Sequence, residues 1–214
     1  KHDDLLKTDK AAMSCIDPER RGQDRDNYVW IRDADENDLV VGSQARILYA
    51  DAEGRATIAL KFNELVRKGD IGPVMLGRDH HDTGGTDSPF RETSNIYDGS
   101  RITSDMAHQC WAGNAARGMT MCVLSNGGGV GVSKAINGGF GLVLDGSERV
   151  DHIIKSAIDW DVMGGVARRA WARNPHAIET SMDWNIALGT KGQITLPFIP
   201  EEGLVERLLR DKME

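Results

Sequence analysis

The string Arg78-Asp79-His80-His81-Asp82 places one guanidinium, two carboxylates and two imidazoles in five consecutive positions. Groups of these types serve acid–base work near neutral pH or bind a metal. Side chains leave alternate faces of an extended segment, so the five cannot all converge on one point. No HxxxH or facial-triad spacing accompanies them, and the pattern is read as carrying no metal site, with structural histidines as the plain alternative. Asp161 follows Trp160 at the end of an apolar run. A carboxyl shielded by an indole is expected to keep its proton to higher pH, which suits a proton donor, while capping a helix is the blander role. Arg168 and Arg169 stand just beyond Gly164-Gly165. They suit a bidentate grip on a carboxylate, or a surface ion pair. Cys122 lies in an apolar strand pattern with no adjacent base and reads as a small hydrophobe rather than a nucleophile.

Glycine supplies 24 of the 214 residues and gathers in a few places instead of forming a repeat. Glycine runs beside a strand free backbone N–H groups to point at an anion. GGGVGVSK, however, lacks GxGxxG spacing, and its lysine is misplaced for a P-loop. Tight turns and close strand packing therefore stand beside a ligand-facing role.

These groups need elements to position them. Residues 1–38 are charged with mixed signs and predict short surface helices or arms. Ser43 is expected to cap a helix through Tyr49, and Ile58, Ala59, Phe62, Leu65 and Val66 repeat at helical spacing until Gly69. GPVMLG, residues 72–77, reads as a buried strand delivering the RDHHD string. Residues 107–116 predict a helix, 119–124 a strand, 126–131 a glycine loop, and NGGFG at 137–141 a lead-in to a strand over 142–144. Asp145-Gly146 signals a turn. An apolar stripe, Val150, Ile153, Ile154, Ala157 and Ile158, predicts about three turns of helix ending near Trp160-Asp161. Asn174-Pro175 opens another helix, and EEGLVERLLRDKME predicts an amphipathic closing helix. The alternation points to a mixed-layer α/β architecture.

Composition sets the outer bounds. Lys plus Arg number 26 against 33 Asp plus Glu, a net charge of −7, so nucleic acid is not an expected partner. No apolar run approaches the roughly 18 residues of a membrane span. The three cysteines, Cys15, Cys110 and Cys122, are widely spaced without a CxxC pair, which suits a reducing, cytosolic setting. The chain starts at Lys1 and lacks an apolar signal core, so it is expected to be neither secreted nor a complete translation product.

GPVMLGRDHHDTGGTDSPFRETSN, SNGGGVG, INGGFGLVLDG and WDVMGGVARRAWARN, in this order, resemble the urocanase family, with LVVGSQARILYAD also fitting. The resemblance covers residues 39–214, an expected core domain, and leaves 1–38 as an arm or interdomain remnant. It implies a hydro-lyase of histidine catabolism, cytoplasmic and homodimeric. It also implies tightly bound NAD acting as an electrophile while water adds across the conjugated urocanate. By the same resemblance Arg78 and Arg168 bind the substrate, Asp161 handles a proton and His80 joins the catalytic set. Ser125 and Asn126 touch substrate, and Gly127, Gly128, Gly129 and Gly192 approach the cofactor; no metal is implied. The family's usual loop histidine is Ser125 here, two aromatic positions are Met121 and Val132, and a charge changes sign at Lys134. If those positions line the imidazole pocket, soft side chains suit a ring-substituted substrate such as thiourocanate or S-methyl thiourocanate. The family's N-terminal core segment and inserted NAD-binding Rossmann domain are not visible. The chain is therefore expected to be a C-terminal portion that needs those missing segments as partners, or else a non-catalytic core fragment.

Overall fold

The structure is a computed structural model and describes residues 2–19, 23–34, 36–37, 46–77, 105–126, 136–189 and 193–210. In chain order these form α1 (His2–Ser14), α2 (Gln23–Arg32), α3 (Ala52–Arg67), β1 (Val74–Gly77), α4 (Asp105–Ala116), β2 (Met121–Asn126), β3 (Ile136–Leu144), α5 (Glu148–Trp171), α6 (Pro175–Leu188) and α7 (Leu204–Arg210). Helices thus pack with a small sheet, as a mixed α/β architecture requires.

β3 is the central strand, in the order β1-β3-β2, and both neighbours pair with it antiparallel. β1 and β2 therefore run parallel to each other, and both head toward the end of the sheet where β3 begins. The inner face of β3 carries Phe140, Leu142 and Leu144, which form the main core with Val150, Ile153, Ile154, Ala157 and Ile158 of α5 and Ala59 of α3. Each fully buried Leu or Ile of this set contributes roughly 1.5–3 kcal/mol. A second cluster joins Ala12, Ile16, Ile31 and Ile58, and Phe62 packs against both clusters.

Helix starts follow local chemistry. Asp51 accepts from the Gly54 amide at 2.8 Å to open α3, Ser147 caps α5, and Asn174 with Pro175 opens α6 as expected. Gly69 ends the α3 region at φ 75°.

Several expectations are corrected. Ser43 lies outside the described residues, and residues 46–50 are not helical. Their backbone groups are taken by side chains from elsewhere: the Tyr49 amide donates to Asn27 Oδ1 at 2.9 Å, the Asn27 amide donates back to the Tyr49 carbonyl, and Arg55 Nε donates to the Ala50 carbonyl at 2.6 Å. β1 is an edge strand rather than a buried one, with Met75 56% exposed. The NGGFG string is the strand itself: Gly141 pairs with both Gly77 and Met121, and Gly138 with Leu124. Glycine is needed at 141, where a Cβ would lie 2.3 Å from Met75 Cε. α5 does not stop at Trp160-Asp161 but runs on to Trp171, because its inner face continues through Asp161 and Gly165 against α4 and α6. None of the residues of α7 is buried, so its apolar face closes on nothing among the described residues.

The turn between β3 and α5 is tied to α3. Gly146 sits at φ 85°, where a Cβ would be 2.8 Å from the Arg67 amide nitrogen. Asn63, fully buried, accepts from the Gly146 amide at 2.8 Å and donates to the Ser147 carbonyl at 3.0 Å and to Asp151 Oδ1 at 2.7 Å. Arg67 donates to the Gly146 carbonyl at 2.7 Å and pairs with Asp151. Burial alone pushes the Asp151 carboxyl up, but the Asn63 amide and the Arg67 guanidinium outweigh it and hold the group below the usual carboxylate range.

Asn63→Ala leaves the buried Gly146 amide without its partner and is expected to lower stability by about 1–3 kcal/mol in urea unfolding. Folding favours the ionised form of Asp151. That contribution is complete above the unfolded carboxyl value of about 4 and is lost as pH falls through the lower folded value. Urea midpoints measured at stepped pH should therefore fall less steeply on the acid side in Asp151→Asn than in the parent chain.

Candidate functional site

Asp161 lies in the middle of α5 and is 6% exposed. Its Oδ1 accepts two hydrogen bonds from one face of α4, from the Cys110 thiol at 3.1 Å and from the Asn114 amide at 3.0 Å. Cys110 and Asn114 are four residues apart, the spacing that stacks side chains on one helix face. The carboxylate acceptor fixes which end of the Asn114 amide faces it. Asn114 Oδ1 is thereby left buried with no hydrogen-bond donor among the described residues.

Trp160 meets α4 as well. Its Nε1 donates to the Cys110 carbonyl at 3.3 Å, and the Arg117 guanidinium stacks 4.3 Å from the ring centroid. The indole lies flat on Gly113, where a Cβ would be 2.0 Å from Nε1. Beside Trp160 and Asp161 opens a hollow of about 320 Å³ that Arg168, Trp171 and the Gly164-Gly165 pair also line. Arg168 follows Asp161 by seven residues, two helical turns, so one face of α5 presents a carboxylate and a guanidinium to the same space.

A second, larger hollow of about 920 Å³ also borders Asp161 and Gly165 and reaches Gly77, the last residue of β1. Burial, together with the charge of Asp161, raises the Cys122 thiol above its ordinary value. That is the opposite of thiolate activation, and it fits Cys122 as a small hydrophobe facing the core.

Of the residues singled out in the sequence, Asp161 and Arg168 are brought together. Ser125 and Asn126 lie at the end of β2, opposite Asn137 and Ile136, and line neither hollow. The Ser125 hydroxyl is buried without a hydrogen-bond partner among the described residues. Arg78, His80, Gly127, Gly128, Gly129 and Gly192 lie outside the described residues. The ends of β1 and β2, after which Arg78 and Gly127 follow, point toward the same end of the sheet. Sequence reasoning missed Cys110 and Asn114. Their i, i+4 spacing on a predicted helix was the available signal, but it does not say which buried group they meet. Among the described residues no group of His, Cys, Asp or Glu is placed to hold a metal ion.

The match to the Urocanase C-terminal domain runs over residues 1–183, and the chain belongs to that family. It is similar to the urocanate hydratase of Mus musculus, 49% identical over 207 residues that cover 94% of this chain and 30% of the relative. It is 47% identical to the probable urocanate hydratase of Caenorhabditis elegans, covering 97% of this chain and 32% of the relative. It is also 47% identical to the urocanate hydratase of Homo sapiens, with 99% and 32% covered. The chain spans about a third of the length of these curated relatives.

Gly113→Ala should drive Trp160 off α4, since a methyl group has no room beneath the ring. The expected cost is about 1–3 kcal/mol, with a shift in tryptophan emission as the indole leaves the Arg117 stack.

Proposed function

We propose that this chain forms the C-terminal part of a hydro-lyase that adds water to urocanate in histidine catabolism, acting in the cytoplasm as a homodimer. Residues 39–214 form its core domain in this reading, with 1–38 as an arm or interdomain remnant that packs into the core through Ala12, Ile16 and Ile31. The observation that carries the proposal is the family match across residues 1–183, together with urocanate hydratase relatives that cover nearly all of this chain.

Urocanate is a flat conjugated anion, so its enzyme must neutralise a carboxylate and move protons at the ring and the double bond. The Asp161 and Arg168 hollow supports both tasks. A guanidinium in a partly dry hollow binds a carboxylate more strongly than one in water. Arg78 is proposed as the second guanidinium, and Asp161, oriented by Cys110 and Asn114, as the group that takes or gives a proton. His80 is proposed to assist proton transfer, and Ser125 and Asn126 to contact the substrate from the end of β2.

NAD is the proposed cofactor. The N-termini of α3, α5 and α6 are each closed by their own capping side chains, Asp51, Ser147 and Asn174, and none opens from a run of glycines. These three termini therefore do not fit a diphosphate cradle. The grip on NAD is assigned to Gly127, Gly128, Gly129 and Gly192 and to segments beyond this chain.

A second reading concerns the ring. Met121 and Met75 lie side by side over Gly141 on the outer face of the sheet. This soft pair favours a sulfur-substituted urocanate if that face borders the ring.

The test uses the complete enzyme and follows the loss of urocanate absorbance beside a thiourocanate analogue. Arg168→Met is expected to weaken substrate binding by about 2–4 kcal/mol while leaving NAD retention unchanged. Unaltered substrate affinity removes Arg168 from the site, and turnover of neither compound by the parent enzyme leaves the non-catalytic fragment as the better reading.

A further inference from the structure

We infer that the larger hollow is the seat of an extended apolar segment that adds a strand to β1, supplied by the part of a urocanase polypeptide that lies outside this chain. The inference rests on the reading that the chain works within a longer hydratase.

The first observation is the edge. β3 is the only sheet neighbour of β1 among the described residues, so alternate N–H and C=O groups of Val74–Gly77 face away from the sheet. Natural edge strands are guarded by charge, by proline within the strand or by a bulge. β1 reads Val-Met-Leu-Gly with no charged residue, and Pro73 stands before the strand rather than in it. The register with β3 runs without a break from Val74↔Leu144 to Gly77↔Gly141.

The second observation is the space beside that edge. Residues 72–77 line the 920 Å³ hollow from end to end. Leu48, Phe62 of α3, and Val162 and Val166 of α5, all half-buried, line it too, together with the charged Asp4, Asp9, Arg46, Arg55 and Arg169. The apolar part of this mixed lining is costly to leave in water, because it is neither packed nor usefully hydrated. Phe62 already touches both hydrophobic clusters. Filling the hollow would join the two into one core. A strand added at β1 does this with one inserted element: its backbone pairs with the edge, and every second side chain points into the hollow.

The third observation is length. The chain corresponds to 30–32% of the relatives it matches, so a hydratase of this family carries about twice as much polypeptide again beyond this stretch. An edge unguarded and a hollow unfilled among the described residues are what such a piece would leave when considered without its remainder. The seat is set apart from the smaller hollow, sharing only Asp161 and Gly165 with it, so docking there would pack against one side of the Asp161 helix turn and leave Arg168 facing the other.

The test mixes this chain with overlapping peptides covering the part of mouse urocanate hydratase outside the matched region, and follows amide hydrogen exchange at residues 74–77. One peptide is expected to slow the outward-facing β1 amides by about tenfold or more, the change that 1.4 kcal/mol of pairing produces. N-methylation of that peptide on alternate residues should abolish binding for one set of positions and spare it for the other, as only strand pairing demands. Val162→Asp should weaken binding about tenfold, and Phe198→Asp, outside the hollow, should not. The inference is overturned if no peptide slows these amides. Protection confined to α6 and α7 overturns it too, as does protection that rises with the concentration of this chain alone, which would make a second copy the occupant. The whole missing part of the mouse protein, added as one polypeptide, separates the two readings. A paired β1 without urocanate turnover defeats the hydratase reading and keeps the interface; turnover with β1 amides unprotected defeats the interface alone.

Discussion

One buried amide sets the direction of the helix on which the candidate site is built. Asn63 satisfies the amide of Gly146, the carbonyl of Ser147 and the carboxylate of Asp151, so the β3–α5 turn is held against α3 at three points. The turn is tight, with Gly146 backed onto the Arg67 backbone, and α5 can leave it in only one direction. From there the apolar stripe of α5 lies along Phe140, Leu142 and Leu144. Its continuation brings Asp161 and Arg168 to their places. Polar satisfaction at the start of the helix and apolar burial along its middle act together. Burial alone would leave the helix free to slide or rotate.

The second half of α5 shows a different balance. A carboxylate in the middle of a helix, 6% exposed, is costly unless other groups bond to it. Cys110 and Asn114 supply two hydrogen bonds, which orient the carboxylate but leave Asn114 with a buried oxygen that has no partner among the described residues. Trp160, next in sequence, goes to another task, covering Gly113 beneath Arg117. Indole and carboxyl are neighbours in sequence. They share a hollow, and each has its own partners on α4.

Much of the fold was legible in the residues. The helical spacing of Ile58, Phe62 and Val66, the Asn174-Pro175 start, the Asp145-Gly146 turn and the stripe from Val150 to Ile158 all predict elements that are present. Local errors have local causes. NGGFG reads as a lead-in to a strand, yet it is part of the strand, where glycine at 141 lets Met75 and Met121 close over the sheet. Residues 46–50 have helical composition, but Asn27 and Arg55 take their backbone groups. α5 outlasts its apolar stripe because a buried carboxylate and a glycine carry the packing face onward, and no hydropathy pattern shows that.

The order of motifs, and with it the family, was contained in the chain itself: the GRDHxD, GGGVG and WDVMGGVARR strings are local and keep their meaning without coordinates. Caps and turns were determined in the same way, since each rests on one side chain and the few backbone groups beside it. The convergence of Cys110, Asn114 and Asp161, the open edge of β1 and the hollow next to it were decided by tertiary structure alone. They depend on which faces of α3, α4 and α5 meet, and that is a balance of burial summed over residues far apart in sequence.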